Sequence, residues 1–422
     1  MGGHTNGSTG VTPDVEHLLR TEAPQVLGAL VRRFGHFDIA EDAVQEALLV
    51  ASRAWPTDGV PENPRSWLIR IGYRRMVDLL RTDQARRRRE RHAGMSELAM
   101  RDPTRQADPA LETDDSLTLL LLCCHPTLSP TSQVALTLRA VGGLTTTEIA
   151  HAHGTTENTM GARISRAKQQ LARAGARFTP PTDADRDSRM NAVMQVLYLI
   201  FNEGYTASTG DELTRVDLTR EAIRLTRMLH DCLPDDPEVT GLLALMLLTE
   251  SRRAARTEGD ELVPLDEQDR TRWDPELIRE GTELIDSVWR RREVGTYQLQ
   301  AAIAAVHAAA ASPDQTDWPQ IAALYLGLER LSPTAPVRLS RVVAVAHAYG
   351  PGRGLALLDD LNRGYHLDEE PLTRQRERAI RAHLLEMTGD MAGAAARYRE
   401  AAALTQNQVE QRYLRRRAHR LG

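Results

Sequence analysis

Aromatic side chains are scarce: Phe, Trp and Tyr make up 4% of the 422 residues. Strands draw heavily on such residues, so their scarcity favours helices packed through small side chains over a β-sandwich or barrel. Cysteine is as scarce. Cys123, Cys124 and Cys232 have no arrangement resembling a disulfide framework, which leaves reduced thiols in a cytoplasmic protein as the expectation. Lysine is nearly absent, since Lys168 is the only one in the chain. An arginine bias of this kind, with abundant alanine, follows from a GC-rich genome and by itself says nothing about function. No run approaches the roughly 20 apolar residues needed to span a bilayer. The N-terminus also lacks a basic-then-apolar leader pattern, so no membrane contact is expected.

What is present is length, helical period and an uneven distribution of charge. A chain of 422 residues exceeds one ordinary core, so two or three domains are expected. The net charge of −5 hides a split: residues 1–177 hold 22 basic and 20 acidic residues, and 178–422 hold 31 and 38. Basic charge concentrates further between Arg65 and Arg91, where ten arginines face Asp78, Asp83 and Glu90. A local net charge of +7 over 27 residues suits a phosphate-binding surface.

Nearly every segment has helical period, and no segment alternates convincingly as a strand does. The opening residues 1–12 read as a disordered tail. Helices are expected over Val15–Phe34, Ile39–Trp55 and about Arg65–Arg81, the last entered through the breaker cluster WPTDGVPENP. The basic segment RTDQARRRRERH then turns into a short fourth helix. Residues 93–113 read as a linker, and helices resume at Ser116–Cys124 and Pro130–Val141. The following GGLTTTEIAHAHGTTENTMGARISRAKQQLARAG reads as helix–turn–helix. Thr145 with Glu148 fits a capping box, Gly154 supplies the turn, and Thr155 or Thr156 caps the second helix. Met160, Ile164, Ala167 and Leu171 form that helix's inward stripe, leaving Glu157, Asn158, Arg163, Arg166 and Lys168 outward. A second linker covers 178–187. Beyond it lies a helical extension, 188–422, interrupted by the polar stretch TEGDELVPLDEQDRTRWDP. Toward its end the Gly389-Asp390 turn, Ala394, Ala395, Tyr398 and Ala402 sit much as in a tetratricopeptide unit. Pro336–Leu361 reads as a poorer copy, and generic helical hairpins are the alternative. The expected fold is all-α throughout.

Two stretches carry a family resemblance. HFDIAEDAVQEALLVASRAW followed by PENPRSWLIRIGYRRMVDLLR resembles region 2 of bacterial RNA polymerase sigma factors of the extracytoplasmic-function (ECF) class. The helix–turn–helix resembles their region 4. Together the two cover roughly Pro13–Arg177, with region 2 over 13–92 and region 4 over 114–177. In the extension, VLYLIFNEGY, EAIRLTRML, LLALMLL and YQLQAAIAAVHA are similar to the C-terminal region of a sigma subgroup with tetratricopeptide-like repeats.

The resemblance implies a set of roles. Asp38, Glu41, Asp42, Gln45 and Glu46 form an acidic, polar helix face that would dock on the β′ clamp of core RNA polymerase, with region 4 near the β flap. Opening promoter DNA at the −10 element means extruding bases at a cost of about a few kcal/mol each, which calls for cations and polar partners. Arg65, Arg70, Arg74, Arg75, Arg81, Arg86 and Arg87 supply the cations, with Asn63 and Asp78 as polar candidates. Trp67 reads as a core residue beside Leu68 and Ile71 in preference to a stacking platform. Many relatives read A-R-N where this chain has Gly72-Tyr73-Arg74, so no particular −10 sequence follows. At the −35 element the second helix of the helix–turn–helix would enter the major groove. Thr156, Glu157, Asn158 and Thr159 would face base edges, while Arg163, Arg166 and Lys168 would face phosphates or guanines. Gly161 is unusual in a helix interior, and a close approach to the DNA backbone would account for it. A linker of about 22 residues spans roughly 70 Å when extended, or about two turns of B-DNA.

No catalytic constellation is expected. Cys123-Cys124-His125 lacks metal-site spacing, His151 and His153 point to different helix faces, and no phosphate-loop or dinucleotide fingerprint occurs. Neither a cofactor nor a metal is expected. The rival readings are a helix–turn–helix regulator with a repeat-type sensor, which the VQE and W-L-x-x-I helices argue against, and a helical scaffold. The acidic extension is expected to regulate in cis, by packing on regions 2 and 4 or by contacting polymerase.

Overall fold

The computed structural model describes residues 13–90, 115–153, 155–175, 183–207, 214–259, 261–291, 293–371 and 373–422. The expected tail over 1–12, the linker over 93–113 and the Gly154 turn lie outside the described residues. Two compact units emerge, Met1–Val196 and Leu197–Gly422.

The first unit opens with three packed helices: α1 (Pro13–Phe34), α2 (Phe37–Asp58) and α3 (Pro64–Glu90). Their apolar stripes meet in a core of Val26, Leu27, Leu30, Ala40, Ala43, Val44, Leu68 and Met76. Gly72 lies where α3 crosses α1, since a Cβ there would come within 2.9 Å of Leu30 Cδ1. The basic segment does not form a separate fourth helix. It prolongs α3 to Glu90, because no glycine or proline separates Arg81 from residues of high helix propensity.

Four shorter helices follow: α4 (Ser116–Cys123), α5 (Pro130–Ala140), α6 (Thr146–Ala152) and α7 (Glu157–Arg173). The capping box opens α6. Glu148 N donates to Thr145 Oγ1 at 3.1 Å, and Thr145 N donates to Glu148 Oε2 at 2.7 Å. Thr156 caps α7 by accepting from Thr159 N. Met160, Ile164, Ala167 and Leu171 are the residues α7 buries. Cys123 and Cys124 are fully enclosed, and burial pushes the Cys124 thiol up to about 12. A thiol held so far from its thiolate is chemically inert at neutral pH.

α8 (Asp183–Tyr205) runs from the first unit into the second. It begins inside the stretch expected as a linker, because DADRDSR contains no helix breaker. The second unit continues with α9 (Val216–Cys232), α10 (Pro237–Glu250), α11 (Pro275–Trp289), α12 (Thr296–Ala309) and α13 (Trp318–Leu331). It ends with α14 (Ala335–Tyr349), α15 (Pro351–Tyr365), α16 (Arg374–Thr388), α17 (Met391–Leu404) and α18 (Gln408–Leu421). Two of these starts have a plain local cause: Asp236-Pro237 and Asp274-Pro275 pair a side-chain cap with proline at the first helical position. α10 is buried on every side from Val239 to Leu248, as a helix apolar all round must be. From α12 onward successive helices pack on their neighbours in sequence, the arrangement of a helical-repeat stack. Every second helix, α12, α14, α16 and α18, starts 39, 39 and 34 residues after the one before. One feature departs from the all-helical expectation. Thr257–Glu258 and Glu261–Leu262 form a two-residue antiparallel ladder, β1 and β2, turning at Gly259 with φ +59°.

Candidate protein and nucleic-acid interfaces

The acidic residues of α2 do not share one face. Asp38, Asp42 and Glu46 are exposed, and Gln45 is half-buried. Glu41 turns inward, into the stripe of Phe37, Ala40, Val44 and Ala47, and its side chain is only 4% exposed. A carboxylate buried so deeply needs partners, and both come from the helix–turn–helix half of the unit. Arg139 Nε on α5 donates to Glu41 Oε1 at 2.8 Å, and Lys168 Nζ on α7 donates to Oε2 at 2.7 Å. Lys168 also reaches Asp42 Oδ1 at 3.3 Å. Burial pushes the Glu41 carboxyl up, but Lys168 and Arg139 together outweigh it and hold the group below its usual range. Burial likewise pulls Lys168 down, and Glu41 and Asp42 more than reverse it. The chain's one lysine, expected to face DNA, is thus spent on a residue expected to face polymerase.

The same pairing occurs once more. Arg75 of α3 grips Glu46 of α2, with Nη2 donating to Oε1 at 2.6 Å. Arg65 donates from Nε to Glu22 Oε2 at 2.7 Å. Arg70, Arg74 and Arg81 are exposed, and their spacing of four and seven residues sets them with Asp78 along one face of α3. Asn63 caps α3, its Oδ1 accepting from Ser66 N at 3.0 Å. The side chains of Arg86 and Arg87 lie outside the described residues. Trp67 is half-buried and meets Trp55 edge-on at 5.5 Å between ring centroids.

On α7 the N-terminal quartet Thr156, Glu157, Asn158 and Thr159 is exposed. Arg166 is also exposed, its Nε turned onto Ala162 O of the same helix, and Arg163 is half-buried. Arg139 escaped the sequence reading, as did Glu22. The signal for the clasp was Glu41 itself, a lone acid at a core position of an otherwise apolar stripe. Among the described residues no group of three or more His, Cys, Asp or Glu can hold a metal ion, and no helix is long and apolar enough to cross a membrane.

Comparison with known proteins fits these two structural halves. The family model for sigma-70 region 2 matches residues 18–87, and that for sigma-70 region 4 matches 118–171. A family of unknown function, DUF6596, matches 189–289. An uncharacterized protein of Rhizobium meliloti (strain 1021) is 40% identical over 95% of this chain and 94% of its own length. The ECF RNA polymerase sigma factor SigK of Mycobacterium ulcerans (strain Agy99) is 28% identical over 35% of this chain and 78% of its own. No solved structure matches the chain. The chain belongs to the ECF sigma factors of the sigma-70 family, its regions 2 and 4 followed by a long helical extension.

Proposed function

We propose that this sigma factor docks on the β′ clamp of core RNA polymerase through Asp38, Asp42, Gln45 and Glu46, with Glu41 joining them once released. The stripe of Arg70, Arg74 and Arg81, with Arg65, Arg75, Arg86 and Arg87 beside it, grips the backbone as the −10 element opens. Thr156–Thr159 of α7 read the −35 element, and Arg163, Arg166 and Lys168 hold its phosphates. The β flap receives region 4. Acting on polymerase and chromosomal DNA places the protein in the cytoplasm.

The observation that carries this reading is the clasp. Glu41 belongs to the polymerase-facing set and Lys168 to the DNA-facing set, and each neutralises the other. In the free chain the two surfaces therefore occupy each other, and engagement of polymerase and promoter separates them. The extension adds a second layer of control in cis.

Reconstitution with core RNA polymerase on a promoter library is the direct test. Initiation from a matching promoter, lost on Asp42→Arg or Glu46→Arg, is expected. Binding to duplex DNA with no affinity for polymerase would instead favour a helix–turn–helix regulator. Removing residues 188–422 tests control in cis, which fails if core affinity and transcription are both unchanged.

A further inference from the structure

The polar stretch between α10 and α11 lies along the alternate helices of the extension. Between residues 257 and 269 it carries six carboxylates and no basic residue. Its two ends are anchored deeply. Arg256 is 7% exposed, hydrogen bonds Thr206 Oγ1 at 2.9 Å and stacks on the Tyr205 ring at 3.5 Å. At the other end Arg270 donates to the carbonyls of His307 and Ala310 at 2.7 and 2.6 Å, and to Thr316 Oγ1 at 2.8 Å.

The middle is held differently. Glu261 pairs with Arg416, and Glu267 pairs with Arg417 at 2.7 Å. The two carboxylate side chains are 62% and 46% exposed, so each can return to water at little cost, whereas Arg417 is 14% exposed and stays held by Glu386 at 3.0 Å. Val263, Pro264 and Leu265 are only half-buried. Cavities of about 150 and 240 Å³ remain on either side of Asp266, and both are walled by Val343 and His383. Beyond the segment itself, their linings come chiefly from α12, α14, α16 and α18, through His307, His347, His383 and Tyr413. The floor is aromatic and apolar, the rim carries Arg416 and Arg417, and the segment crossing it leaves space unfilled. The histidines do not gather around one point: Trp318 separates His307 from His347, and His347 to His383 is 5.7 Å between ring centroids.

We propose that this face of the extension is a peptide-binding groove, that residues 261–269 occupy it as an internal placeholder, and that an extended acidic segment of a partner protein replaces them. Anchored ends with a loosely seated middle let the segment lift as a loop without unfolding its flanks. Charge fixes the class of ligand: a short apolar core of the Val-Pro-Leu kind between carboxylates, set against two arginines. A tethered competitor acts at an effective concentration on the order of mM, so the groove is masked in the resting chain.

The test uses the full-length chain and a fluorescent synthetic peptide, TEGDELVPLDEQD, supplied in trans. Wild type should bind it weakly. In the triple variant Glu261→Gln, Asp266→Asn, Glu267→Gln the placeholder loosens, and the peptide should bind at least ten-fold tighter. Adding Arg416→Ala and Arg417→Ala should remove that gain. Hydrogen exchange reports the placeholder's amides in the same samples. Equal weak binding by wild type and triple variant, with those amides exchanging freely, overturns the proposal. Amides that stay protected in the triple variant overturn it too, by making the segment fixed core. Competition by a DNA oligonucleotide of equal charge as effective as unlabelled peptide overturns the peptide assignment in favour of a general polyanion surface.

Discussion

Both units of this sigma factor hold acidic side chains against their own arginine or lysine, some buried and some exposed, and two of these contacts, one from each unit, lie in opposite regimes. In the first, Glu41 is 4% exposed and shared between two cations. In the second, Glu261 and Glu267 meet Arg416 and Arg417 at a solvated rim. A buried charge that loses a partner keeps its desolvation penalty, whereas an exposed one returns to water. The first contact is therefore a latch that holds or fails as a whole, and the second is a set of graded, replaceable contacts.

Single substitutions should break the comparison most sharply. Arg139→Ala leaves Glu41 buried with only Lys168, and should cost the first unit about 3–5 kcal/mol in denaturant unfolding. Glu267→Ala should cost the second no more than about 1 kcal/mol. Equal losses would show that the two contacts belong to one regime.

Acid separates the units next. His307 is buried, and desolvation, then Arg252, Arg270 and His347, push it down to about 3. Burial lowers His347 and His383 in the same direction, against the pull of Asp266. Between about pH 6.5 and 3 the unfolded chain binds a proton at His307 that the folded chain refuses. Stability from this group is therefore lost as pH falls through that window, by about 2 kcal/mol at pH 5. Glu41 behaves otherwise: its depressed value keeps the clasp's contribution in place until pH falls below the usual carboxylate range. Calorimetry at pH 7 and 5 should show the extension's transition falling while that of the first unit holds. His307→Gln should shrink the difference.

Lys168 provides a direct view of the latch, because it is the only lysine in the chain. An amine reagent should modify it at least ten-fold more slowly than a free lysine, equivalent to about 1.4 kcal/mol of protection. Glu41→Gln should abolish most of that protection. Lys168 reacting freely in the wild-type chain would mean the latch is open in solution.

These contrasts were unevenly legible in the sequence. Helical period placed the inward stripe of α7 at Met160, Ile164, Ala167 and Leu171, because apolar spacing at 3.6 residues leaves one solution. The capping box at Thr145 and Glu148 followed from local chemistry alone. Where Glu41 goes was not so local. Its helix fixes which way it points, but Arg139 and Lys168 come from 98 and 127 residues away, and charge pairing at that distance has no periodic signature. The placeholder was visible only as an interruption, since nothing in its composition says which helices it crosses.

Glycines offer the finest probe of packing, since both units hold some that are required and some that are not. In the extension, Gly241 and Gly281 are required by packing. A Cβ at Gly241 would meet Gln298 N at 2.8 Å, and one at Gly281 would meet Leu248 Cγ at 2.7 Å. Alanine at either should push α10 away from α12 or α11 and destabilise the unit. Gly161 of α7 is different, since its Cβ would find only Thr146 Cγ2 at 3.8 Å, an ordinary contact. Gly161→Ala should therefore stabilise region 4 by up to about 1 kcal/mol, the helix propensity gained. A glycine retained where alanine fits and stabilises is accounted for by a surface that something else must approach. If DNA is that approaching surface, Gly161→Ala raises the melting temperature while weakening −35 binding in a gel-shift titration. A variant that is more stable and binds as well as wild type would leave the glycine without a role in promoter recognition.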